Sequence, residues 1–215
     1  MNPITIEEAR GWYEDADPVH DFDHVLRVVR LAERLAKAEG ADVRIVRTAA
    51  LLHDSRGSAP GGDGNDRAEH HIASAIFAGD VLKEKGWSAD QIKAVQHCIR
   101  SHRYRGGEDE PQTAEAKVLF DADKLDVLGA IGAARTIAYA ALDGQPAYAE
   151  PSTRFLETGE KEPGEPHSSY HEFIFKLRNV KDKMFTRNGK KLAEARHAYL
   201  MGFYEQLQAE ERGER

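Results

Sequence analysis

Apolar residues along this chain recur at intervals of three and four, and no stretch sustains an alternation of two. Helices are therefore the elements that can bury one face, and a sheet is not expected. In "DFDHVLRVVRLAERLAKAEG", Val25, Val28, Val29, Ala32, Leu35 and Ala36 form one stripe that stops at Gly40. The next segment places Val43, Val46, Ala50 and then His53 at similar intervals, and a third carries Ile72, Ala75, Ile76 and Leu82. Ser88 followed by Gln91 reads as a capping box opening a fourth helix. "DADKLDVLGAIGAARTIAYAAL" reads as one further helix, its small residues suited to close packing. Helix returns in "SSYHEFIFKLRNVKDKMF" and, beyond Asn188-Gly189, in "KKLAEARHAYLMGFYEQLQAE". The predicted class is all-α.

Three segments read as loops: the glycine-rich residues 56–66, residues 105–112, and the long stretch 143–168. With no internal repeat and no clear linker, the 215 residues are expected to form a single domain, 1–215. Hydrophobic content of 40% with 31% charge fits a globular chain. No apolar run approaches the ~20 residues of a membrane span, and "MNPITIEEARGW" does not read as a signal peptide. A cytoplasmic location is expected, with no membrane partner. The one cysteine, Cys98, rules out an internal disulfide and a thiolate-rich zinc site. A net charge of −7 argues against a nucleic-acid polymer as partner, but not against a small phosphorylated molecule.

The ten histidines matter through where they fall. Histidine and aspartate meet at the ends of apolar stretches in His20-Asp21 with His24, in His53-Asp54, in His97 and His102, and in Asp121, Asp123 and Asp126. Imidazole nitrogen and carboxylate oxygen together suit a divalent transition metal that keeps positions open for water and phosphate. His97 and His102 stand five apart, about 140° around a helix, so a shared target requires one of them at the helix end. His167, His171 and His197 read as solvated or polar core residues, Cys98 as a buried small residue, and Asp121 as an acidic helix start. Phe155, Tyr170, Phe173 and Phe175 read as core rather than as a base-stacking platform.

His24 in "HVLRV", His53-Asp54 ending an apolar helix and Asp123 in "DADKLD" follow an H…HD…D order. In this the chain resembles the HD domain family, all-α metal-dependent phosphohydrolases. "HDFDH", "HCIRSH" and the run from "EAK" through "DADKLD" to "GAIG" extend the likeness to a bacterial subgroup related to nucleotide pyrophosphohydrolases. The resemblance implies an HD helical bundle with a core near 18–142 and a loop and helical extension over 143–210. It implies a divalent metal (Mn, Mg, Fe, Co, Ni or Zn) held by His24, His53, Asp54 and Asp123. His71, His97 and His102 are candidates for a second ion or for substrate phosphate, with His70 competing for the place of His71. Asp54 is expected both to bind metal and to orient water. Lys124 and Arg27 are the expected cationic partners of phosphate; Arg56, Lys117, Arg103 and Arg105 are further candidates, and Asp126 a supporting partner. The implied reaction cleaves a phosphate ester or anhydride of a nucleotide, with pyrophosphate release favoured, and a homodimer is plausible for the family. The rival readings are a nucleotide-binding regulatory domain without turnover and a diiron oxygenase.

Overall fold

A computed structural model describes residues 2–13, 22–56, 66–103 and 109–215, with the side chains of 66–69 excepted. His20, Asp21, Arg105 and most of the glycine-rich loop lie outside the described residues. Among the described residues every regular element is a helix, as the periodicity requires. No single helix among them is long and apolar enough to cross a membrane. The chain divides into two compact units, Met1–Asp123 with Phe185–Gly189, and Lys124–Met184 with Lys190–Arg215.

The first unit holds α1 (Ile6–Arg10), α2 (Phe22–Glu39), α3 (Val43–Leu52), α4 (Asp66–Glu84), α5 (Ala89–Ser101) and most of α6 (Ala114–Leu125). α3 is its centre. Asp42 caps α3 by accepting from the backbone N–H of Arg44 at 2.8 Å, and residues from Ala49 to Leu52 are all completely buried. α2 buries the stripe read from its sequence, together with Phe22 and His24. The Ser88–Gln91 capping box opens α5 as expected.

α4 differs from the expected stripe. Ala75 and Leu82 are buried, but Ile72 is 43% exposed and Ile76 61%. The buried face instead runs through Ser74, Ala75 and Ala78. Gln96 of α5 donates to Ala75 O at 3.0 Å, and a Cβ on Gly79 would come within 2.4 Å of the same amide nitrogen. Close backbone approach selects the small residues for the interface, so the larger isoleucines turn outward.

α6 begins earlier than expected and stops at Leu125, so the single helix read over 121–142 is two. Asp121 and Asp123 therefore lie in the last turns of α6, and neither is an acidic helix start. α7 (Gly129–Leu142) opens at Gly129, whose φ of +72° suits glycine. A Cβ on Gly132 would meet the Val127 carbonyl oxygen at 2.2 Å, so the break between the two helices needs that glycine too. Arg196 donates to Leu125 O, one of the carbonyls left over where α6 ends.

The second unit adds α8 (Thr153–Thr158), α9 (Ser169–Phe175), a 3-10 helix (Leu177–Lys183) and most of α10 (Arg187–Glu211). α8 lies inside the stretch read as irregular, and α10 starts before Asn188-Gly189. Phe173 stacks on Tyr204 at 4.3 Å, and Phe155 is buried while Phe175 is half exposed, so these aromatics serve mainly as core. Glu165 organises the segment: it accepts from Ser152 N at 2.7 Å, Ser152 Oγ at 2.7 Å and Glu162 N at 2.6 Å, and lies 3.1 Å from His171 Nε2. The Ser152 N–H bond, above all, holds its carboxyl down at about 2, and burial lowers His171 from 6.5. Both folded pKa values lie below their unfolded ones, so both stabilise at neutral pH and lose that contribution as pH falls. The His171 part is lost below 6.5 and the Glu165 part between 4.5 and about 2. Thermal unfolding followed against pH should therefore show an acid decline that is shallower below 4.5 in Glu165→Gln; an identical profile would refute the assignment.

Candidate metal centre

Three helix ends bring the ligand candidates together in the first unit. His24 lies in the first turn of α2, His53 is the C-cap of α3 with Asp54 following, and Asp123 lies in the last turn of α6. His24 Nε2 stands 3.4 Å from His53 Nε2, 3.4 Å from Asp123 Oδ1 and 4.0 Å from Asp54 Oδ2. His53 Nε2 is 3.4 Å from Asp54 Oδ2. His53 is fully buried, while the side chains of Asp54 and Asp123 keep 23% and 12% of their exposure. Solvent therefore reaches the group from the carboxylate side and not from behind His53.

The tautomers follow from the backbone. His53 Nδ1 lies 2.8 Å from Ala50 O and His102 Nδ1 lies 2.5 Å from Ile99 O. A carbonyl only accepts, so each Nδ1 carries the proton and each Nε2 presents a lone pair. Those lone pairs face Asp54, whose carboxylate is also an acceptor. His102 Nε2 is 3.3 Å and His70 Nε2 3.4 Å from Asp54 Oδ1, yet Oδ1 receives no directed hydrogen bond. A cluster of acceptors aimed at one region is unfavourable without a cation among them. The donor set fits a divalent ion of the nitrogen- and oxygen-binding kind.

Protonation agrees with that reading. Burial drives His53 down to about 4, with the Asp54 charge opposing it, so the ring is neutral near pH 7. Burial acts to raise the Asp54 carboxyl, but in the acid range where it would titrate His53 carries a proton, and that charge above all holds the acid well below its usual range. Neutral imidazole and ionised carboxylate are the metal-binding forms.

The remaining candidates are placed as follows. His102 caps α5 at its C-terminal end and lies beside the HD turn. His97 points elsewhere, its Nε2 accepting from Gln112 N at 3.1 Å. Of the adjacent pair on α4, His70 faces Asp54, and the His71 ring sits beside it with centroids 5.7 Å apart. His71 is pushed down to about 4 by burial and then by His70. Arg27 is half-buried one turn beyond His24 on α2, and half-buried Lys124 follows Asp123. Arg56 lies over the Phe77 ring at 3.5 Å, its backbone N–H held by Ser74 Oγ. Asp126 pairs with Arg135 at 2.7 Å in the second unit. Lys117 is half-buried and Arg103 closes the described part of α5's end.

Asp121 has a different task. It is fully buried and accepts from Phe185 N and Thr186 N, each at 2.8 Å, and from Thr186 Oγ1 at 2.6 Å. It anchors the 185–189 turn to α6, two residues ahead of Asp123. The sequence held one signal of this, the Thr186–Gly189 pair flanking a helix start, which says nothing about a partner 65 residues away.

A family model for the HD domain matches residues 21–128. The chain belongs to the HD domain family. The Bacillus subtilis protein YpgQ is 34% identical over 94% of this chain and 91% of its own length. The crystal structure of YpgQ in complex with ADP superposes with a TM-score of 0.71 at 29% identity, covering 96% of this chain and 97% of that one. An HD-superfamily hydrolase from Bacillus thuringiensis gives a TM-score of 0.69 at 30% identity, covering 96% and 94%. This HD-domain chain thus has the HD-superfamily hydrolase fold, and the His/Asp groups assembled here can hold a divalent metal, as in the family.

Proposed function

We propose that the protein is a metal-dependent phosphohydrolase acting on a nucleotide, with pyrophosphate release from a nucleoside triphosphate as the favoured reaction. The observation that carries this is the convergence of His24 Nε2, His53 Nε2, Asp54 Oδ2 and Asp123 Oδ1, with neighbouring atoms 3.4–4.0 Å apart. A divalent ion held there supplies a water of lowered pKa and a Lewis acid for a phosphoryl oxygen. Asp54 Oδ1, which has no directed donor, is the acceptor that orients a water. Arg27 and Lys124, each near a ligand in sequence, supply the positive charge that phosphate oxygens need as they gain charge. His102 and His70, on the Oδ1 side of Asp54, hold either phosphate or a second ion. The ADP bound in the YpgQ crystal structure supports a nucleotide substrate.

The test is a panel of nucleoside mono-, di- and triphosphates incubated with metal-loaded protein, with phosphate and pyrophosphate measured separately. Pyrophosphate from triphosphates is expected. Binding without release would identify a regulatory domain, and oxygen consumption by iron-loaded protein would identify an oxygenase instead.

A further inference from the structure

The turn carrying His53 and Asp54 ends α3, and a helix end leaves its last carbonyls without N–H partners. Ser55 N bonds Leu52 O at 3.2 Å, tightening the turn and withdrawing the donor that Leu51 O would have had in a continuing helix. Three consecutive carbonyls then accept from side chains. Ala50 O takes His53 Nδ1 at 2.8 Å, Leu51 O takes the Tyr13 hydroxyl at 3.0 Å, and Leu52 O takes Ser55 Oγ at 2.9 Å. Two of these donors are local to the turn. Tyr13 reaches it from 38 residues away.

The N-terminal segment is itself fixed in the first unit. Tyr13 packs on Phe22 at 5.3 Å, and Trp12 meets Phe77 edge-on at 5.3 Å. Trp87 Nε1 donates to Asn2 O at 3.1 Å, and Lys85 pairs with Glu8 at 2.7 Å. The Asp54 backbone N–H and carboxylate both act on the phenol, which stays protonated because burial raises its pKa far above 10. Leu51 is completely buried, so no water replaces the hydroxyl if it is removed.

We propose that Tyr13 is a positioning residue for the metal centre: together with Ser55 it fixes the last turn of α3 and so the directions of the His53 and Asp54 donor atoms. This rests on the metal-binding reading above. Outer partners that orient metal ligands typically change affinity by about 10–100-fold when removed.

Cobalt(II) titrated into the purified protein, read by its visible absorption, tests the proposal without using turnover. Tyr13→Phe removes only the hydroxyl and should weaken cobalt binding about tenfold or more while shifting the ligand-field bands. Ser55→Ala, which removes the neighbouring bond, should act in the same direction. Phe22→Leu loosens the packing around Tyr13 but leaves the hydroxyl, and should keep the wild-type spectrum. Wild-type protein that takes up no cobalt would overturn the metal reading itself. Wild-type uptake with unchanged affinity and spectrum in Tyr13→Phe would overturn the positioning role alone. If Tyr13→Phe loses its helicity, unchanged cobalt binding in Ser55→Ala overturns the proposal equally.

Discussion

On the proposed function, Asp54→Ala should lose metal and turnover together while keeping its helices. Asp54 faces four imidazoles, with its Oδ2 within 3.4 Å of His53 and 4.0 Å of His24, and its Oδ1 3.3 Å from His102 and 3.4 Å from His70. Removing even an outer partner of a metal ligand costs 10–100-fold, so loss of a direct ligand should weaken binding by more than about a hundredfold. Stability separates this from simple damage. Metal at about a hundred times its Kd stabilises wild type by about 2.7 kcal/mol, roughly 5–11 °C in Tm for a chain of this size. That rise should vanish in Asp54→Ala. The metal-free variant should still unfold cooperatively, because Ala49 to Leu52, which hold α3 in the core, are untouched. Calorimetry with and without metal measures both quantities. A metal-dependent rise of wild-type size in Asp54→Ala would sink the ligand assignment.

Gly189→Ala should be the most damaging conservative change outside the centre. A Cβ there would lie 2.1 Å from Asp121 Oδ2 and 2.7 Å from Thr186 Oγ1. Asp121 cannot swing aside cheaply, since it is fully buried and accepts three hydrogen bonds from residues 185 and 186. Overpacking and a buried acceptor left without donors each cost about 1–3 kcal/mol. A total near 3 kcal/mol corresponds to roughly 6–12 °C in Tm. Lys190→Ala, at an exposed neighbour, should stay within about 0.5 kcal/mol of wild type. Equal unfolding temperatures for the two variants would refute the anchoring role of Asp121. Because Asp121 is two residues from Asp123 on α6, a loosened anchor is also expected to disturb that candidate ligand.

The helices and the H…HD…D order were legible because both depend on residue type at local spacing. Other features were not. His70 and His71 are neighbours about 100° apart on a helix, so only the rotation of α4 decides which one faces Asp54. The apolar stripe through Ile72 and Ile76 implies a different rotation, but those residues face outward because small residues meet α5. The break between α6 and α7 was hidden for a related reason. Gly129 and Gly132 read as packing residues, whereas a positive φ and a close carbonyl give them a role in the turn.

The sequence by itself determined which side chains offer imidazole and carboxylate, that helices carry them, and which stripe of α2 is buried. Those properties reside in single residues and their near neighbours. Only the tertiary structure decided that Asp121 anchors a turn rather than starting a helix, that His97 spends its Nε2 on Gln112 N, and that Tyr13 caps Leu51 O. The physical reason is that a hydrogen bond is satisfied by direction and distance, and its partner can come from any part of the chain that folding brings within about 3 Å.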